Sequence, residues 1–204
     1  MSSFLTSDAS ARRSVARRFV LKAVTMMPVM CSLVPIAAQA HEGEVHEDEE
    51  GLYPTDRDGS VLPFIDLEHG VTYDLATVTP GELVIFRHEN SEGKWQYYAV
   101  LHRTPAQVMA SEDSLGKGKQ PQADAQRVQD RQWLVVDMAC THKLCQLAYV
   151  DDGETTFLCP CHRSTFDASG RVLKGRAREN LLIPAYRLTT GADGTPAIIF
   201  DEAA

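Results

Sequence analysis

The feature that most constrains this chain is a short window in which four of its five cysteines gather with two histidines. The window reads Cys140-Thr141-His142-Lys143-Leu144-Cys145 and, after a hairpin-length spacer, Cys159-Pro160-Cys161-His162-Arg163-Ser164. Each half offers a thiol and an imidazole at short reach, so that loops at two strand ends can aim both pairs into one site. Two thiolates and two imidazoles suit Zn(II), or a [2Fe-2S] centre in which two histidines replace two cysteines on one iron. Ligand type alone leaves both open.

The surplus thiols weigh against zinc. A site of two cysteines and two histidines leaves Cys145 and Cys161 over, one in each loop, and a disulfide between them would clamp the loops if the protein is exported. Export is what the start of the chain suggests. Arg12 to Lys22 read RRSVARRFVLK, followed from Ala23 to Ala38 by an uncharged apolar run, and the Arg17-Arg18-Phe19-Val20-Leu21-Lys22 string looks like a twin-arginine signal. Ala38-Gln39-Ala40 resembles a cleavage site, while the run barely reaches spanning length. Residues 1–40 are therefore expected to be a signal or a membrane anchor, with the body outside. Residues 41–52, with six acids in His41 to Gly51, are expected to form a solvated tether.

The remainder, 53–204, has the punctuation of an all-β domain, with short apolar runs separated by Gly, Pro, Asp and Asn. Leu83 to His88 and Gln96 to Leu101 flank Asn90-Ser91-Glu92-Gly93-Lys94 as a hairpin, and Trp133 to Val136 and Thr155 to Leu158 read as further strands. Thr104 to Ala110 and Ala123 to Val128 read as brief helices. The polar stretch Ser111 to Gln122 reads as a surface excursion. A formal net charge of -8 argues against nucleic acid as a partner.

The two boxes resemble those of Rieske proteins. The surrounding text, from about Asp74 to Tyr186, is similar to the Rieske subunit of bacterial cytochrome bc1 complexes through Thr79-Pro80-Gly81, His102-Arg103-Thr104-Pro105, Pro121-Gln122-Ala123-Asp124-Ala125, Trp133 to Val136 and Ser169 to Gly175. The resemblance implies an antiparallel β sandwich with a small cluster-binding subdomain at about 137–182. It implies a [2Fe-2S] cluster with Cys140 and Cys159 on the inner iron and His142 and His162 on the outer, a Cys145–Cys161 disulfide, and a Ser164 hydroxyl bonded to a bridging sulfide. It further implies an electron-transfer subunit of quinol-cytochrome c oxidoreductase in the inner membrane, its Rieske domain periplasmic. Its partners would be quinol and cytochrome b and cytochrome c1 type subunits, with one of the histidines, His142 or His162, taking the quinol proton.

Several positions depart from the family pattern. Lys143 and Leu144 stand where the first box usually has leucine and glycine, Arg163 replaces a usual glycine, and Phe166 a usual tyrosine. The loop expected to cover the cluster reads Gly175-Arg176-Ala177-Arg178, without the family's prolines. These changes bear on the docking surface. They keep two alternatives in view: the small Rieske subunit of a periplasmic oxidoreductase such as arsenite oxidase, and a zinc-bound structural module.

Overall fold

The computed structural model describes residues 53–118 and 121–201. The segments read as signal or anchor and as acidic tether lie outside the described residues. Within the described residues the regular structure is mostly strand: β1 Phe64–Asp66, β2 Thr72–Asp74, β3 Leu83–Glu89, β4 Trp95–His102, β5 Trp133–Asp137, β6 Ala148–Asp152, β7 Thr155–Leu158, β8 Thr165–Phe166, β9 Val172–Lys174, β10 Tyr186–Thr190 and β11 Pro196–Phe200. They form three sheets, ordered β1-β3-β4-β5, β10-β11-β2 and β6-β7-β8-β9. The all-β reading holds, with one parallel pair, β1 against β3. Parallel neighbours need a crossover, and here the chain makes it by placing β2 in another sheet.

The first sheet is buried on both faces, which period-2 alternation makes legible. In β4 and β5, Tyr97, Ala99, Leu101, Leu134 and Val136 point into one core, shared with Leu147, Phe157, Phe166 and Val172 of the β6–β9 sheet and its approach. Val100, Trp133 and Val135 point the other way, toward Tyr73, Tyr186, Ile198 and Phe200. That double burial is why Trp133 to Val136 reads as a continuous apolar run.

The hairpin joins β3 to β4 in the register Glu89↔Trp95, and the Asn90 carboxamide accepts the N–H groups of Glu92 and Lys94. Helix α1, Pro105–Glu112, starts at a capping box in which Thr104 accepts the Gln107 N–H and Gln107 accepts the Thr104 N–H. The second expected helix shrinks to a 3-10 turn at Asp124–Gln126. Among the described residues no helix is long and apolar enough to cross a membrane.

The stretch from Ser111 to Gln122 lies at the surface as its composition suggests, its described residues after the buried Ser111 being exposed or half-buried, but the carbonyls of Ser111, Ser114 and Gln122 accept from the buried guanidinium of Arg171. Arg171 also pairs with Asp167 at 2.8 Å. Beside it Arg103 makes a two-pronged bond to Asp124, at 2.7 and 3.2 Å, and the Ser169 hydroxyl donates to the same carboxylate. Burial alone would raise the Asp124 pKa. The bonds from Arg103 and Ser169, with the charges of Arg103 and Arg171, hold it below the usual carboxylate range. Arg127 reaches the carbonyls of Ser169 and Leu181, each at 2.6 Å. Burial lowers its pKa to about 10, which leaves it charged at neutral pH. This network fastens the segment from Asp167 to Leu181 to the first sheet, and so fixes one wall of the metal-binding end.

Candidate metal centre

The two boxes form a matched pair of loops, 140–145 between β5 and β6 and 159–164 between β7 and β8. In the first, the Cys140 N–H donates to the Cys145 carbonyl at 2.9 Å and the Leu144 N–H to the Cys140 carbonyl at 2.8 Å. In the second, the Cys159 N–H donates to the Ser164 carbonyl at 2.8 Å and the Arg163 N–H to the Cys159 carbonyl at 2.9 Å. Both loops close on a left-handed residue, Leu144 at φ 60 and Arg163 at φ 55. This conformation costs an L-residue about 1–2 kcal/mol. It explains in backbone terms why glycine is at home at both positions.

Loop closure sends the first cysteine of each box inward. Cys140 and Cys159 are free thiols, each 1% exposed, in the core that also holds Phe157 and Phe166. Burial pushes the Cys140 thiol up to about 11, while the backbone N–H groups of His142 and Lys143 pull it down. A thiol so placed becomes a thiolate only where a cation compensates the desolvation. Cys145 and Cys161 are joined in a disulfide that ties loop to loop, and their sulfurs lie within 4.8 Å of that of Cys159. Bridged sulfurs offer no thiolate, which leaves Cys140 and Cys159 as the sulfur donors.

The histidines supply the remaining donors. The rings of His142 and His162 lie 4.7 Å apart between centroids, nearly perpendicular at 86°. Each turns Nδ1 inward, buried and without a hydrogen-bond partner. An orphaned buried polar atom costs about 1–3 kcal/mol, and a metal ligated through Nδ1 would satisfy both of these. The donor set, two buried sulfurs and two imidazole nitrogens, fits a [2Fe-2S] cluster of mixed ligation. Desolvation, together with the charges of His162, Lys143 and Arg176, holds His142 below the usual histidine range.

The loop after β9 closes over this pair. Ser164 is fully buried, and its Oγ accepts from the N–H groups of Arg176 and Ala177 at 3.0 and 2.9 Å. Its own O–H is left to donate. Gly175 makes the approach possible, because a Cβ there would fall 2.4 Å from the Ser164 Cα. Thr141 donates to the Glu179 carbonyl at 2.6 Å, tying the first ligand loop to the same cover. Sequence reasoning passed over Thr141 and Gly175. The only signal of the latter was a lone glycine between a strand and a basic run. A groove of about 590 Å³ opens beside His142, lined by Thr141, Gly175, Arg176, Arg178 and Glu179.

A family model described as the Rieske [2Fe-2S] domain matches residues 66–187. The mitochondrial Rieske subunit of the cytochrome b-c1 complex of Saccharomyces cerevisiae is 39% identical over 136 residues, which are 63% of this chain and 56% of that protein. Its counterpart in Schizosaccharomyces pombe is 43% identical over 100 residues, 46% of this chain and 42% of that protein. The chain thus spans about half the length of these relatives. Among solved structures, the plasma membrane Rieske protein of Synechocystis PCC 6803 is 21% identical, with a TM-score of 0.34, covering 57% of this chain and 85% of that one.

Proposed function

Because the chain belongs to the Rieske [2Fe-2S] domain family and has a [2Fe-2S] cluster as its cofactor, we propose that it is the electron-transfer subunit of a cytochrome bc1 complex, passing electrons from quinol to a c-type cytochrome. Cys140 and Cys159 would hold one iron, and His142 and His162 the other through Nδ1. When bound, the cluster supplies one-electron redox chemistry. The chain's own residues set the geometry and move the proton.

The observation that carries this reading is the orientation of the histidines. With Nδ1 buried and partnerless, the opposite edge of the His142 ring is the one left to the groove. Ligated through Nδ1, the ring would carry its remaining proton on Nε2; with that proton lost while the cluster is oxidised, Nε2 would accept a hydrogen bond from a quinol hydroxyl and take its proton as the electron leaves. The groove is wide enough for the head of a small organic donor, and Thr141 and Gly175 fix its wall against the ligand loops. Ser164 would offer its O–H to the cluster, which would favour the more negative reduced state and raise the potential.

In this reading residues 1–40 are the signal or anchor, and 41–52 tether the Rieske domain on the periplasmic side of the inner membrane, beside cytochrome b and cytochrome c1 type subunits. The test is isolation of the chain from detergent-solubilised membranes of its own host. Co-purifying b- and c-type haem, with quinol-dependent reduction of the cluster followed by EPR, is the expected result. Recovery with a periplasmic oxidoreductase lacking b-type haem would contradict it.

A further inference from the structure

We propose that a collar of unpaired cations around the ligand loops, Lys143, Arg163, Arg176 and Arg178, is the docking surface for an acidic protein partner, the electron acceptor of the function proposed above, on which this inference rests.

The described arginines divide by whether their guanidinium is held. On the body of the protein the exposed and half-buried ones are held: Arg57 donates to the Val150 carbonyl, and Arg87, Arg131 and Arg187 pair with Asp66, Glu112 and Asp201. The buried ones, Arg103, Arg127 and Arg171, are held by carboxylates and carbonyls. Among the described residues, Arg163, Arg176 and Arg178 alone make no side-chain hydrogen bond or ion pair, and all three are exposed at the metal-binding end. Lys143, exposed beside His142, is likewise without one. The charges of Lys143 and Arg176 reach the His142 ring, and Arg176 and Arg178 line the groove beside it. One carboxylate, Glu179, lines that groove against them.

Such a patch is at odds with the chain as a whole, whose formal net charge is -8. Every other described arginine is held locally, and the arginines left free gather at the metal-binding end; among the lysines, Lys117 and Lys174 are exposed and unpaired as Lys143 is. Leaving like charges side by side has a cost that an incoming anionic surface removes, and the same field steers that surface to the one face where an electron can leave. A membrane of anionic lipid would also be attracted, but it accepts no electron, and the collar encircles the imidazoles. The partner this chemistry fits is therefore a redox protein whose contact face is rich in Asp and Glu.

The test is oxidation of the reduced, cluster-loaded full chain, in stopped flow, by an acidic and by a basic soluble c-type cytochrome over a range of ionic strength, with hexacyanoferrate(III) as a small anionic reference. The acidic cytochrome is expected to react about 10-fold faster than the basic one at low salt and to lose that advantage as salt screens the collar. Arg176→Glu/Arg178→Glu should slow the acidic cytochrome about 10-fold with the EPR signal retained, while Lys94→Glu, a like reversal on the distant β3–β4 hairpin, changes it by less than about 2-fold. A faster basic cytochrome, or an unchanged rate in the double reversal, would overturn the proposal. So would binding to phosphatidylglycerol vesicles that falls with the reversal while the cytochrome rates do not. If hexacyanoferrate(III) is reduced and neither cytochrome is, the acceptor named under the proposed function is wrong, and the collar as a protein docking surface falls with it.

Discussion

Two groups of arginine, one buried and one exposed, are treated in opposite ways. Arg103, Arg127 and Arg171 are buried and locked to Asp124, Asp167 and a set of carbonyls. Arg163, Arg176 and Arg178 stand in solvent around the ligand loops with nothing to hold them. The first cluster is architecture: a buried guanidinium is tolerable only while its partners are in place, so each member specifies where the others must be. The second is surface, and can change without disturbing the fold. The segments that resemble the family most, His102 to Pro105, Pro121 to Ala125 and Ser169 to Gly175, supply the buried cluster. Of the residues that depart from it, Lys143, Leu144, Arg163 and Arg178 are exposed, and Phe166 alone of the single replacements is buried.

The contrast is broken most directly at Asp124. Asp124→Ala strands Arg103 and removes the acceptor of the Ser169 hydroxyl, and should cost about 3–5 kcal/mol in denaturant unfolding of the cluster-loaded protein. Arg176→Ala should stay within about 0.5 kcal/mol of the parent. Comparable losses in the two would erase the distinction between the clusters.

A smaller effect is expected at Asp137, a buried acid that has no arginine. It accepts only the Ala139 N–H, at 2.8 Å, and burial pushes its carboxyl up to about 6. Its folded pKa thus lies above the unfolded value of about 3.9, and the folded state keeps a proton that the unfolded state has lost. Its contribution to stability is present below pH ~4 and is lost as pH rises through about 6. Asp137→Asn should therefore stabilise the protein at pH 8 by about 2–3 kcal/mol and flatten the stability slope between pH 4 and 6. A variant with an unchanged slope would mean that the carboxylate is solvated in the folded state.

Much of this was legible in the sequence and some was not, for definable reasons. The hairpin at Asn90, the capping box at Thr104 and the double-faced strand at Trp133 follow from local chemistry that a linear text records. The paired Cys/His boxes name the candidate donors because few other arrangements use those residue types at that spacing. The buried arginines could not be read in this way, since a cation is surface by default and only its partners, up to 65 residues away, make it a core residue. Ser111 to Gln122 was legible as surface, but that its carbonyls hold the buried Arg171 was not. Leu144 and Arg163 were visible as replacements of glycine, but their left-handed backbone was not.

The smallest effect is expected at those two positions. Arg163→Gly relieves about 1–2 kcal/mol of backbone strain and gives back about 0.5–1 kcal/mol in the flexibility of the unfolded chain. A net gain of up to ~1 kcal/mol is predicted, with the same for Leu144→Gly, read as a rise in the thermal midpoint with an unaltered EPR spectrum. A loss of stability in both would mean that the side chains, despite their exposure, carry contacts that outweigh the strain.

The central claim is that Cys140, His142, Cys159 and His162 hold the cluster, with both imidazoles bound through the nitrogens that are buried and partnerless in the protein. Pulsed EPR on the reduced protein, labelled with 15N at histidine, reads those nitrogens directly. Two strongly coupled histidine nitrogens are predicted, with the Rieske signal abolished in His142→Ala and in His162→Ala. A single coupling, or a normal spectrum in either variant, would contradict the account.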